Sequence, residues 1–158
     1  MEFTELMKSF GASFGLDDFK PAEDGSWNVE IRGARVAFAE LADPARIRMR
    51  AQVCELPAKG RETLLRTMLE SMFMGQATGG ASFSVDEGSD DVYLEQAESL
   101  ATLDPGAFEA SLERFANVLS QWRGIVARFE PVAGEKEEAG RSAAEEMRQA
   151  ESAGFLRI

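Results

Sequence analysis

The chain has 158 residues, 28 Asp plus Glu against 17 Lys plus Arg, a formal charge of −11 and no histidine. One hydrophobic core fits that size, and without histidine there is no Ser-His or Cys-His nucleophilic site and no His-ligated zinc. A lone Cys54 excludes an internal disulfide, and the acidity repels phosphate backbones, leaving proteins and not nucleic acid as the expected partners.

The opening Met-Glu-Phe-Thr-Glu is acidic and amphipathic, unlike a secretory signal. No stretch approaches the ~20 apolar residues that span a bilayer. The expectation is a cytoplasmic chain without membrane insertion. Phe3, Leu6, Met7, Phe10 and Phe14 recur at steps of three and four, which predicts a short aromatic helix ended by Gly15. After the turn-rich stretch 21–25, Trp27, Val29 and Ile31 alternate with Asn28, Glu30 and Arg32. That is the period-two mark of a half-buried strand. A second strand across Gly33 places Val36 and Phe38 on one face and Ala37 and Ala39 on the other, with a turn at Asp43-Pro44. In the third, Ile47, Met49, Ala51 and Val53 oppose Arg46, Arg48 and Arg50. The three read as an antiparallel meander.

From Gly60 the period changes. Leu64, Leu65, Met68, Leu69, Met72 and Phe73 form a stripe on a second helix, wider than a surface helix requires and ended near Gly75 to Gly80. Ala81, Phe83 and Val85 alternate with Ser82 and Ser84, and an acidic turn through Gly88 leads to Val92 and Leu94, predicting a second hairpin. Asp104 is a natural N-cap with Pro105 at the first helical position. Behind them Phe108, Leu112, Phe115, Leu119, Trp122, Val126 and Phe129 step four and three in turn. Pro131 and Gly134 close the domain. The prediction is one domain over 1–130 and an acidic tail over 131–158, disordered or a short marginal helix around Ser142 and Glu145.

This order, α-β-β-β-α-β-β-α in an α+β chain with a twisted antiparallel sheet, resembles the class I type III secretion chaperones, the Tir chaperone family. The resemblance rests on four places: Phe14-Gly15-Leu16 closing the first helix, Cys54-Glu55-Leu56-Pro57 closing the meander, Leu64 to Leu69 leading through Gly75-Gln76-Ala77-Thr78-Gly79-Gly80 into Ala81-Ser82-Phe83, and Leu103-Asp104 before a helix carrying Trp122-Arg123. It implies a bacterial cytoplasmic homodimer without enzymatic activity or cofactor. Such a chaperone holds the N-terminal segment of a secreted effector extended and export-competent, and the secretion ATPase is a further implied contact. The alternative is a binding module of similar fold that sequesters a transcriptional regulator or another cytoplasmic protein.

Holding an extended segment calls for apolar grooves and an available strand edge. Phe3, Leu6, Phe10 and Phe14 of the first helix, with Trp27, Val29, Ile31, Val36 and Phe38, are the candidate effector-binding residues. Each is also ordinary core material. For the second helix the resemblance implies a dimer seam: Leu64, Leu65, Met68, Leu69, Met72 and Phe73, with Phe83 and Val85 of the strand that follows. Adjacent apolar columns can face the protomer's own sheet and a twofold mate at once.

Other features read as structural. Arg46, Arg48 and Arg50 fit the solvated face of a sheet covered on one side. The acids from Asp86 to Glu98 lack the ligand order and glycine of a calcium loop. The glycines of 75–80 lack the Lys-Ser/Thr and preceding strand of a phosphate loop. No metal site is expected, and no pair of carboxylates is placed for acid-base work.

Overall fold

A computed structural model describes residues 2–42 and 45–131. The predicted tail, 131–158, and the Asp43-Pro44 turn lie outside the described residues except for Pro131. The elements are α1 (Phe3–Ser13), β1 (Trp27–Ile31), β2 (Ala34–Leu41), β3 (Arg46–Glu55), α2 (Arg61–Ser71), a single 3₁₀ turn (Phe73–Gly75), β4 (Ser82–Val85), β5 (Asp91–Ser99) and α3 (Pro105–Ala127). The strands form one antiparallel sheet in the order β1-β2-β3-β5-β4, in which the predicted meander (β1-β2-β3) and hairpin (β4-β5) are joined by pairing of β3 with β5.

Strand alternation decides the layers. Ile47, Met49, Ala51 and Val53 of β3 are buried, while Arg46, Arg48 and Arg50 between them are half-buried on the other face. The cross-strand pairs Val36↔Ala51, Phe38↔Met49 and Ala51↔Leu94 carry the apolar face across the sheet. Against it lie α1 and α3, whose Phe10 and Phe108 meet Phe38 edge-on at ring separations of 6.0 and 5.5 Å. Such pairs favour tilted and T-shaped geometry beyond their burial.

Sequence-coded caps fix the helices. Asp104 accepts a hydrogen bond from the Ala107 amide at 2.8 Å, with Pro105 at the first helical position. At the end of α1, Gly15 has φ +64°, its amide donates to the Ala12 carbonyl, and the Leu16 amide donates to the Gly11 carbonyl at 2.9 Å. That pair of bonds is a Schellman closure. Near the other end of the molecule, β3 carries a bulge between Gln52 and Cys54, and the Gln52 carbonyl accepts from two nitrogens of Arg123 of α3 at 2.8 and 3.1 Å. An irregularity in the ladder is thus satisfied by the helix above it.

Two boundaries differ from the periodicity. The apolar stripe of α2 runs to Phe73, but the helix stops at Ser71 and the chain turns through Met74 at φ +57°. Arg32, which continues the alternation of β1, sits instead in a two-residue hairpin with Gly33, both at positive φ (53° and 73°). A type I′ turn requires that backbone, and strand twist selects the turn over strand continuation.

Candidate client groove and apolar seam

The β1 side of the sheet ends in an open groove of about 780 Å³. One wall is the C-terminal end of α1 and its exit, with Phe10, Phe14 and Leu16; the second is β1 from Val29 to Arg32; the third is α3 from Gly106 to Ala116. Phe14 is 59% exposed and Leu16 is also exposed, because the Schellman closure turns the chain away from the core just where these side chains occur. Small residues on α3, Gly106, Ala110 and Ala116, leave the space open. At one end Arg32 donates a hydrogen bond to Asn117 Oδ1, joining the β1–β2 turn to α3.

β1 is an edge strand. The pair flanking a two-residue hairpin, here Ile31 and Ala34, exchanges hydrogen bonds, and the alternation of an antiparallel ladder then turns the N–H and C=O of Glu30 and Asn28 outward. The groove therefore offers main-chain partners along one side and apolar side chains along the others. An extended segment can add as a strand and place alternate side chains in it.

The predicted effector-binding residues divide on this geometry. Phe14, Val29 and Ile31 line the groove with surface to offer; Phe10 forms its floor. Phe3, Leu6, Trp27, Val36 and Phe38 are buried in the core. Phe10 is itself buried and lies within 6.0 Å, centroid to centroid, of the rings of Phe14, Phe19, Phe38 and Phe108. Sheet and helix cover Phe3, Leu6, Trp27, Val36 and Phe38 within one protomer, so the surface offered in the groove comes from Phe14, Val29 and Ile31. Leu16, Ala110, Leu112 and Ala116 were missed. Leu112 stands in the predicted α3 stripe, but nothing in the pattern places that stripe beside β1.

A second apolar surface lies at the opposite edge. Leu69 (64% exposed), Phe73 (76%), Met74 and Val85 are exposed, with Leu65, Met72 and Phe83 half-buried beside them. Leu64 and Met68, also expected in the dimer seam, are fully buried in the protomer's own core. The remaining members, Leu65, Leu69, Met72, Phe73, Phe83 and Val85, retain at least partial exposure. Met72 Sδ accepts the Phe83 amide at 3.2 Å, and the Phe83 ring packs on Trp122 at 4.9 Å. The thioether so covers part of the β4 edge and anchors the 3₁₀ turn to the strand. At the start of α2, Arg61 donates to the Pro57 carbonyl (2.8 Å) and to Asp90 of the β4–β5 turn (2.7 Å).

Groups with chemical potential elsewhere are arranged structurally. Burial first, then the Asp91 charge, push the Cys54 thiol from 9.0 up to about 11, so it is protonated at neutral pH. Ser111, buried on α3, donates to Glu98, which also accepts from Gln96 at 2.7 Å. Arg50 stacks on Tyr93 at 3.8 Å and lies 3.4 Å from Glu95. Among the described residues no three His, Cys, Asp or Glu side chains converge as a metal site, and no helix is long and apolar enough to cross a membrane.

The profile of the Tir chaperone protein (CesT) family matches residues 5–123. Several solved structures share the fold. The ExsC–ExsE complex aligns with a TM-score of 0.66 at 23% identity, over 85% of this chain and 100% of the other. The HopA1–SchA chaperone–effector complex aligns at 0.63 and 15%, over 77% and 93%. The Yersinia pestis type III secretion chaperone SycH, in complex with a stable fragment of YscM2, aligns at 0.60 and 14%, over 77% and 99%. No curated protein sequence matches the chain.

Proposed function

The chain belongs to the Tir chaperone protein (CesT) family, and from that premise we propose that it is a type III secretion chaperone. It holds a segment of a secreted effector extended and delivers it export-competent. The observation that carries the reading is the groove between α1, β1 and α3, where exposed Phe14 and Leu16 adjoin a free strand edge. An extended client supplies what both lack: apolar side chains for the cleft and main-chain groups for Asn28 and Glu30. That the HopA1–SchA structure is a chaperone–effector complex, and SycH a type III secretion chaperone, supports the same role.

The second part of the proposal is a twofold dimer through Leu69, Phe73, Met74 and Val85. An isologous contact uses one patch twice, so each residue on it counts in both copies. The protein works in the cytoplasm and acts by binding, without catalysing a reaction. The test is co-expression with the secreted proteins of a strain that carries the gene. A complex that survives chromatography, and loss of that client from the secreted fraction when the gene is deleted, is expected. A client that stays soluble and is secreted normally without the protein would overturn the proposal.

A further inference from the structure

The groove has a charge as well as a shape. Its lining contains three acids, Glu30, Glu109 and Glu113, and one base, Arg32, which is hydrogen-bonded to the neutral Asn117. Glu109 and Glu113 stand one turn apart on α3, both facing the groove. Like charges at this spacing repel each other and weaken a helix. Among the described residues neither carboxylate is in an ion pair: Glu109 accepts the Ser13 hydroxyl at 2.8 Å, and the groove's one base, Arg32, is bonded to Asn117, one turn beyond Glu113. The two carboxylates, without an ion-pair partner, border an apolar cleft beside a free strand edge.

Resting on the client-holding role above, we propose that the segment this groove takes up is basic as well as apolar: an extended stretch whose groove-facing residues combine hydrophobic side chains with Lys or Arg set against Glu109 and Glu113. The spacing agrees. Four helical residues advance ~6 Å, and alternate residues of a strand lie ~6.7 Å apart, so two successive groove-facing positions of the segment match the two carboxylates. Long basic side chains lay their methylenes along Ala110 and Phe14 while their charged ends reach the rim. An all-apolar segment leaves the carboxylates beside a desolvated cleft, and an acidic one is repelled. The groove thereby discriminates among extended segments by charge, which its apolar residues cannot do.

The experiment uses the full chain and three fluorescein-labelled decapeptides in which Val and Leu alternate with Ser. Two successive groove-facing positions carry Lys, Ser or Glu. Anisotropy should rank them Lys, Ser, Glu, with about tenfold between the first and last, and the advantage of Lys should shrink as salt rises. The variant Glu109→Lys/Glu113→Lys keeps a like-charge pair on α3 and should reverse the order, while its melting temperature reports that the fold survives. Equal binding of the three peptides by the wild type, or an unreversed order in the variant, overturns the charge assignment and leaves the chaperone role standing. If none of the peptides binds although the full-length client is retained, the groove is not the client site, and the charge assignment falls with it.

Discussion

Phe73→Glu separates assembly from folding. Phe73 is 76% exposed at the 3₁₀ turn after α2, beside Leu69, Met74 and Val85. Fully burying a Phe side chain stabilises by ~1.5–3 kcal/mol, so covering the exposed three-quarters is worth about 1–2 kcal/mol per copy. In an isologous contact the residue occurs twice, giving about 2–4 kcal/mol for the dimer, and a carboxylate placed in an apolar seam adds a desolvation cost. The dimer dissociation constant should rise by about 30- to 1000-fold. The protomer should melt nearly unchanged, since an exposed substitution shifts stability by only ~0.5 kcal/mol. Sedimentation velocity across the micromolar range, with thermal melts alongside, reads both quantities. A wild-type chain that sediments as a monomer throughout, or a variant that dissociates at the wild-type concentration, would refute the seam.

Phe14→Ser should lower client affinity by about tenfold, measured by titration against a purified client, and leave the dimer intact, because Phe14 lies on the groove and away from the α2–β4 edge. Met68→Glu should abolish cooperative melting, since Met68 is 1% exposed and its replacement buries an unpaired charge; retained folding would place Met68 at a surface. Gly15→Val should destabilise by ~1–2 kcal/mol, read as a denaturation midpoint, because φ +64° penalises a β-branched residue while open space around the position excludes a clash. Stability should be insensitive to the Cys54 thiol below pH 9 and fall between pH 9 and about 11. In that window the folded thiol keeps a proton that the unfolded chain has lost, so unfolding gains with each step up in pH. A Cys54→Ala variant that keeps the same loss would assign it to other groups. Removing 132–158 should leave a cooperative melt and the dimer unchanged.

The elements were legible because each obeyed a local rule. The alternation of Ile47, Met49, Ala51 and Val53 with three arginines specified β3 and its buried face, and Asp104-Pro105 marked the start of α3 to the residue. The end of α2 was not legible, because apolar spacing persists through Phe73 after the backbone has left the helix. Periodicity records which side chains are apolar and gives no account of what covers them. Leu64 and Leu69 therefore looked alike on one stripe, although the first is buried in the protomer and the second is 64% exposed. The groove was half legible for the same reason. Phe14, Val29 and Ile31 could be nominated from the sequence, whereas Leu16, Ala110 and Ala116 become groove residues only when α3 is laid beside β1, a contact between segments some 80 residues apart.

The central claim is that an extended client pairs with β1 over this groove, and amide hydrogen exchange in the client complex addresses it most directly. Measured by NMR on the complex and on the free protein, the amides of Asn28 and Glu30, turned outward from the ladder, should slow markedly on binding, while those of β4 at the opposite edge stay as they were. Unchanged exchange at Asn28 and Glu30 in a saturated complex would contradict the claim and place the client elsewhere on the molecule.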